Sequence, residues 1–111
     1  MIQRFTFGHP FPTESVVQAP AAQAGAVPFL TPEADGGWSC LLSAQAVVYG
    51  LGEMPRGINK RGWHYITDNT DQSHHGEDKL SYYGAHNFLL IRDGSRCFGI
   101  FVDFAGKVTY D

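Results

Sequence analysis

Two neighbouring histidines followed by two carboxylates form the cluster in this 111-residue chain whose residue types suggest a metal site. His74 and His75 precede Glu77 and Asp78. A zinc site needs three or four ligands in a fixed geometry, whereas adjacent side chains on an extended segment point to opposite faces. We therefore expect no metal at this segment.

Covalent catalysis would need a nucleophile beside a base, and the two cysteines are the candidates. Cys40 and Cys97 both lie in apolar predicted strands, where a thiol stays protonated and inert. We expect two buried thiols without a disulfide between them. The chain also lacks a Gly-x-Ser-x-Gly elbow, a phosphate-binding loop and a dinucleotide-binding glycine pattern. The sequence thus predicts no catalytic residue and no cofactor.

A polar loop offers a different chemistry, hydrogen bonding to hydroxyl groups. It consists of Asp68, Asn69, Thr70 and Asp71 and follows a predicted strand. An ionised carboxylate has two acceptor oxygens, so a carboxylate on this loop can accept hydrogen bonds from two adjacent hydroxyls of one ligand. The alternative is that the loop aspartates only shape their own turn.

The elements that would position this loop are strands. Apolar and polar residues alternate in short runs separated by glycine and proline, without a ten-residue helical stripe. Asp93-Gly94 lies between two apolar runs and predicts a hairpin with a type I′ turn. The predicted strands are 4–8, 38–43, 45–49, 63–67, 86–92, 96–103 and 107–111, with a possible short strand at 27–30 and a glycine turn at 50–52. The sequence therefore predicts one all-β domain over residues 1–111, an antiparallel β-sandwich.

Charge and hydropathy exclude several classes of protein. The net charge is −3 and the pI about 5.9, with scattered charges. This leaves no basic footprint for nucleic acid and no polybasic patch for a membrane surface. No run of 18 apolar residues could span a bilayer. The first ten residues do not resemble a signal peptide, and the chain has no Asn-x-Ser/Thr sequon. We expect a cytoplasmic protein.

Five segments occur in a characteristic order and spacing: Tyr49–Glu53 (YGLGE), Asn59–Gly62 (NKRG), Asn69–Asp71 (NTD), Tyr83–Phe88 (YGAHNF) and Phe98–Asp103 (FGIFVD). Any one of them is unspecific. Together they resemble the N-terminal domain of glycoside hydrolase family 31, the α-glucosidase family. The resemblance covers residues 48–111 well and residues 1–47 loosely.

The resemblance implies a galactose-mutarotase-like β-sandwich placed before a (β/α)₈ barrel. In this family two barrel aspartates act through a covalent glycosyl intermediate. The barrel would begin beyond residue 111, so the chain is expected to be a partial N-terminal domain, inactive alone. The implied parent is a retaining α-glucosidase that hydrolyses terminal non-reducing α-linked glucose from oligosaccharides. The resemblance also implies that Asp71 reaches over the barrel mouth and binds sugar hydroxyls. Asp68, Asn69 and Thr70 would then form the loop or support Asp71.

The expected partners are the protein's own C-terminal barrel, the oligosaccharide substrate and further copies of the chain. The chain ends inside the predicted strand 107–111, which favours a fragment with an exposed sheet edge that pairs with another copy. The alternative is a stand-alone carbohydrate-binding or structural β-module. Aromatic residues that could then stack on sugars are Trp38, Trp63, Tyr82 and Tyr83, although such residues more often form core or interface in an all-β domain.

We also predict the local structure of residues 50–61. The glycines of Gly50–Gly52 are expected at a bulge or at positive φ. Glu53 and Arg56 are expected to hold their loop or the interface with the barrel. Lys60 and Arg61 are expected to be solvated surface charges, with contact to a partner domain as the alternative.

Overall fold

The computed structural model describes residues 29–71 and 73–111, so the predicted strand 4–8 lies outside the described residues. Within them every regular element is a strand and all pairing is antiparallel, which confirms the all-β prediction. None of these residues forms a helix long and apolar enough to cross a membrane. The strands are β1 (Leu30–Pro32), β2 (Trp38–Cys40), β3 (Val47–Gly52), β4 (Tyr65–Thr67), β5 (Ala85–Asp93), β6 (Arg96–Phe101) and β7 (Val108–Tyr110).

The chain divides into two units, residues 1–41 and 42–111. The described part of the first unit is the β1–β2 hairpin. Its turn is closed by hydrogen bonds from Glu33 N to Gly37 O (2.9 Å) and from Gly37 N to Asp35 Oδ1 (2.9 Å). Gly36 has a φ of 87°, a value that glycine adopts without strain. Asp35, Gly36 and Gly37 therefore form the turn of this hairpin.

The second unit contains a three-stranded sheet in the order β3–β5–β6. Along β5 the less exposed side chains alternate with exposed ones, as the period of two along a strand requires. Leu89 and Ile91 point to the inner face, whereas Phe88 and Leu90 lie on an outer face that is partly exposed to solvent. The apolar run at 86–92 is thus a strand as predicted, with apolar residues on both faces.

The β5–β6 hairpin lies where the sequence predicted it, but its turn differs. Asp93 pairs with Arg96, so the two central residues are Gly94 and Ser95 instead of Asp93 and Gly94. Gly94 has a φ of 62°, whereas φ of Ser95 is not positive. Glycine at the first central position with positive φ there alone fits a type II′ turn. The predicted type I′ turn is therefore wrong, because the pairing continues one residue further than expected.

A second, two-stranded sheet pairs β4 with β7 and brings Tyr65 opposite Tyr110. The small core of this unit contains Leu51 (1% exposed), Met54 and Tyr65 (1% exposed). Residues of β5 and β7 pack against these three: Ala85, Leu89 and Tyr110. The core therefore joins the two sheets through one buried leucine and one buried tyrosine.

Neither Cys40 nor Cys97 forms a disulfide, but Cys97 is exposed and Cys40 is only half-buried. Cys97 is opposite Arg92 in β5, a residue that is itself exposed. Residues directly opposite each other in an antiparallel pair share a face. The prediction of two buried thiols is therefore wrong, because the apolar run around Cys97 places that side chain on the outer face.

Candidate functional site

The loop 68–71 begins where β4 ends, and pairing of β4 with β7 places Lys107 beside it. Lys107 Nζ lies 2.6 Å from Asp68 Oδ2. The lysine side chain is mostly exposed, so solvent limits the contribution of this ion pair to about 0–1 kcal/mol. Its effect is chiefly geometric, since it joins the first residue of the loop to the start of β7.

The backbone of Asp68 is held from the other side by the buried Ser81. The Ser81 hydroxyl donates to Asp68 O (3.0 Å) and accepts from Asp68 N (3.4 Å). Two residues before Asp68, Ile66 N donates to the O of Leu80, the residue before Ser81 (3.1 Å). These bonds align the segment before Tyr82 with the end of β4. The start of the loop is therefore fixed through its backbone as well as through its side chain.

Asn87 connects the strands beneath the loop to the segment 102–104. Its Oδ1 accepts hydrogen bonds from the hydroxyls of Thr67 and Tyr110. Its Nδ2 donates to Phe104 O (2.9 Å), and its backbone O accepts from Val102 N (2.9 Å). Burial raises the pKa of Tyr110 to about 12, because the phenolate would lose hydration. Tyr110 therefore remains a neutral donor to Asn87 over the ordinary pH range.

Two open clefts lie beside the Asp68–Lys107 ion pair, and both residues line both clefts. The first cleft, of about 330 Å³, is also lined by Ile66, Thr70, Asp78, Lys79, Leu80 and Ser81. The second, which we call the Phe104 cleft, has about 460 Å³ and is also lined by residues 67, 69, 85–87 and 101–106. Both volumes lie in the range of small-molecule sites.

The four loop residues that the sequence singled out occupy different positions. Asp68 borders both clefts, Asn69 borders the Phe104 cleft and Thr70 borders the other. Asp71 is exposed and lines neither cleft. Its role in substrate binding stays a prediction, as do the supporting roles of the other three. The loop therefore begins at Asp68, which Ser81 and Lys107 hold, and ends at the exposed carboxylate of Asp71.

A family model, the glycosyl hydrolase 31 N-terminal galactose mutarotase-like domain, matches residues 25–111 of the 111-residue chain. The chain belongs to this family. This confirms the family that the five segments indicated, and the antiparallel all-β structure is consistent with a galactose-mutarotase-like sandwich. No curated protein matches the chain.

In this glycosyl hydrolase 31 N-terminal domain the Asn59–Gly62 segment is a structural clamp. Asn59 Oδ1 accepts hydrogen bonds from Val48 N (3.0 Å) and Arg61 N (3.3 Å). The Arg61 guanidinium donates to the backbone oxygens of Ser43 and Ala46. These contacts bind the loop after β3 to the segment before it. Arg61 is therefore a backbone donor instead of the solvated charge that was expected.

Lys60 departs from expectation further, because it is buried. Its Nζ donates to Gly57 O (3.0 Å) and Pro55 O (3.4 Å), and lies 5.4 Å from the centre of the Tyr65 ring. Burial lowers the pKa of Lys60 below its ordinary value, and nearby Glu77 opposes that shift. The prediction of a solvated Lys60 is wrong, because two carbonyls of its own loop replace the water around the ammonium.

The turn before this clamp has the backbone that the glycines predicted. Gly50, Leu51 and Gly52 all have positive φ (125°, 66° and 76°), and the β3–β5 register shifts there. Arg56, at the next bend, lies over Trp63 at 4.6 Å from the ring centre. Its Nη1 also donates to the backbone O of His64 (3.3 Å). Arg56 thus holds its own loop, which is one of the two roles expected of it.

The histidine and carboxylate cluster is not gathered into a ligand set. The His75 ring lies 4.8 Å from the Tyr82 ring and 5.0 Å from the Tyr83 ring, measured between centres. In residues 29–71 and 73–111 no three His, Cys, Asp or Glu side chains are grouped so that they could hold a metal ion. Aromatic packing is the interaction that the structure shows for His75.

Sequence reasoning missed the residues that anchor the loop. Asn87 is inside a family segment, and its polar side chain shares the inward parity of Leu89 and Ile91 on β5. A polar residue at an inward position of an apolar strand is the signal that could have identified it. Lys107 and Phe104 carry no such local signal, because their contacts depend on how β7 pairs with β4.

Proposed function

We propose that this domain is the N-terminal part of a retaining α-glucosidase that hydrolyses terminal non-reducing α-linked glucose from oligosaccharides. The observation that carries the proposal is the family match over residues 25–111. Retaining glycosidases use two carboxyl groups on either side of the scissile bond. The proposal assigns that pair to a barrel that follows this domain in the complete protein.

The domain's own contribution is the 68–71 loop, with Asp71 as the residue that binds sugar hydroxyls. Three features support this. The start of the loop is held by Ser81 and Lys107, Asp71 is exposed, and a carboxylate accepts hydrogen bonds from adjacent hydroxyls. Because the loop starts from a fixed point, it can present the carboxylate at little further ordering cost. Surface of the domain outside this loop is proposed to pack on the barrel.

The experiment that tests this begins with the coding sequence beyond Asp111. Where it continues into a barrel, the complete enzyme and its Asp71→Ala variant are compared on maltose and isomaltose. We expect kcat/KM to fall by about tenfold or more, because a charged hydrogen bond to substrate contributes about 1.5–3 kcal/mol. Glu33→Ala, which removes an exposed carboxylate from the β1–β2 turn, is the control. Unchanged kinetics for Asp71→Ala would remove this residue from the substrate pocket.

The proposal also makes the 111-residue chain inactive by itself. Purified chain, cleared of host glucosidases, is expected to show no turnover of an aryl α-glucoside. Detectable turnover would contradict the assignment of catalysis to a barrel. The alternative function, a stand-alone carbohydrate-binding or structural module, follows if the coding sequence stops after Asp111.

A further inference from the structure

Phe104 is an exposed aromatic side chain whose ring rests on a glycine. Its exposed fraction is 59%, although it lies in a short turn between β6 and β7. A Cβ at Gly106 would lie 2.5 Å from Phe104 Cε1 and 2.7 Å from Cζ. The ring therefore occupies the space that any other residue at position 106 would fill, and Gly106 lets it lie close to the backbone.

The backbone of Phe104 is held as well. Phe104 N donates to Val102 O (2.9 Å), and Asn87 Nδ2 donates to Phe104 O (2.9 Å). The amide of Asn87 is itself oriented by the hydroxyls of Thr67 and Tyr110. The backbone that carries the exposed ring is therefore held by bonds that reach β4, β5 and β7. An aromatic ring with few rotatable bonds on a fixed backbone loses little entropy when a ligand stacks on it.

The cleft beside this ring has hydrogen-bonding groups of several kinds around it. Besides Phe104, the Phe104 cleft is lined by Asp68, Asn69, His86 and Asp103. Carboxylates accept, the amide both donates and accepts, and the imidazole does one or the other at each nitrogen. A sugar ring has C–H groups on its faces and hydroxyls around its rim, so it needs an apolar platform inside a polar border. Lys107 also lines the cleft and pairs with Asp68, so the carboxylates outnumber the cation by one and the lining still disfavours an anionic ligand.

We propose that the Phe104 cleft binds a pyranose ring of an oligosaccharide, with Phe104 as the stacking platform and the carboxylates as hydroxyl acceptors. This inference rests on the proposed function, because it takes the ligand class from there. It adds a second contact surface to the domain, next to the 68–71 loop and sharing Asp68 and Asn69 with it. Binding at the Phe104 cleft is independent of Asp71, which does not line it.

The test is a titration of the ¹⁵N-labelled 111-residue chain with maltose and, in parallel, with cellobiose, followed by nuclear magnetic resonance. We expect saturable shifts of the amide signals of Asn69, His86, Phe104 and Gly106. Phe104→Ala is expected to weaken binding about tenfold or more, and Phe104→Trp to retain it. Gly106→Ala, which displaces the ring without removing it, is expected to weaken binding as well. Ile58→Ala removes another exposed apolar side chain, which lies outside the cleft, and is the control.

The outcomes separate this inference from the proposed function. Loss of binding in Phe104→Ala, with unchanged amide signals for the β3–β5 pairs, supports the cleft whichever disaccharide binds. A preference for cellobiose would count against the proposed α-glucosidase and leave the cleft in place. Absence of shifts with both sugars, or equal affinity of wild type and Phe104→Ala, would overturn the cleft. The Asp71 kinetics would then still decide the proposed function by themselves.

Discussion

Alanine at Gly52 is expected to destabilise the domain more than alanine at Gly62, although the two glycines have nearly the same φ (76° and 79°). A Cβ at position 52 would lie 2.1 Å from Gly84 O, well inside van der Waals contact. A Cβ at position 62 would have no heavy atom within 4 Å. Both variants therefore incur the cost of positive φ, but only Gly52→Ala also brings a Cβ into collision with Gly84 O.

The difference in unfolding free energy between the two variants follows from the backbone that must move. Positive φ at a non-glycine residue costs about 1–3 kcal/mol, and we expect that cost in both variants. At position 52 the strands must also separate, which weakens the bond from Glu53 N to Gly84 O (3.1 Å). That bond contributes about 0.5–1.5 kcal/mol. The shift also disturbs the packing of Leu51, which is 1% exposed. Gly52→Ala is therefore expected to exceed Gly62→Ala by about 1–3 kcal/mol.

The assay is urea unfolding of wild type and both variants, followed by far-ultraviolet circular dichroism and analysed by linear extrapolation. Thermal unfolding gives a second reading, because 1 kcal/mol shifts the Tm of a domain of roughly this size by about 4 °C or more. Equal losses of unfolding free energy in Gly52→Ala and Gly62→Ala would refute the reasoning, since the collision with Gly84 would then have no consequence. Both variants would then lose only the unfolding free energy that positive φ costs.

Two further expectations concern the three-stranded sheet. The pKa of Asp93 is held below 3.8, chiefly by the hydrogen bond from the Ser43 hydroxyl. The native carboxyl thus binds protons less readily than in the unfolded chain, so its stabilisation is complete above pH 3.8 and is lost as the pH falls through its lower native pKa. Urea unfolding at a series of pH values should show this decline, and Asp93→Asn should reduce it; an equal decline in both proteins would contradict the assignment. We also expect copies of the chain to associate through exposed sheet edges and exposed apolar surface, and Leu90→Lys on the partly exposed outer face to weaken that association. Sedimentation showing a monomeric wild type at high concentration would count against this.

The strands of this domain could be predicted because their signals are local. Alternation identified β4, an apolar run identified β5, and the Asp93-Gly94 dipeptide located the hairpin. The turn type could not be predicted from that dipeptide, because it depends on which residues form the last pair. In the structure Asp93 itself is in the ladder, where its carboxylate contacts both Ser43 and Arg96. Those contacts favour a register that places Gly94 and Ser95 in the turn.

The same local signals could not predict that a charged residue is buried. Nothing near Lys60 in sequence marks it as buried, since the residues around it include Asn59 and Arg61. What buries it is the bend of its own loop, which brings the oxygens of Pro55 and Gly57 to the ammonium. A charged side chain is tolerated in such a place only when acceptors are supplied. The loop conformation therefore determines the environment of Lys60, and that conformation is not visible in the periodicity.

The candidate site also combines a feature visible in the local sequence with contacts from distant parts of the chain. The loop 68–71 could be identified from four polar residues after a strand, but its anchors lie on other strands. Asp68 is held by Ser81 and Lys107, and the Phe104 turn is held by Asn87. These anchors depend on the pairing of β4 with β7 and on the contact between β4 and β5, next to the buried Tyr65 and Leu51. The packing of the core therefore also determines where the polar loop lies, so a substitution beside the buried Leu51, such as Gly52→Ala, should also disturb the loop.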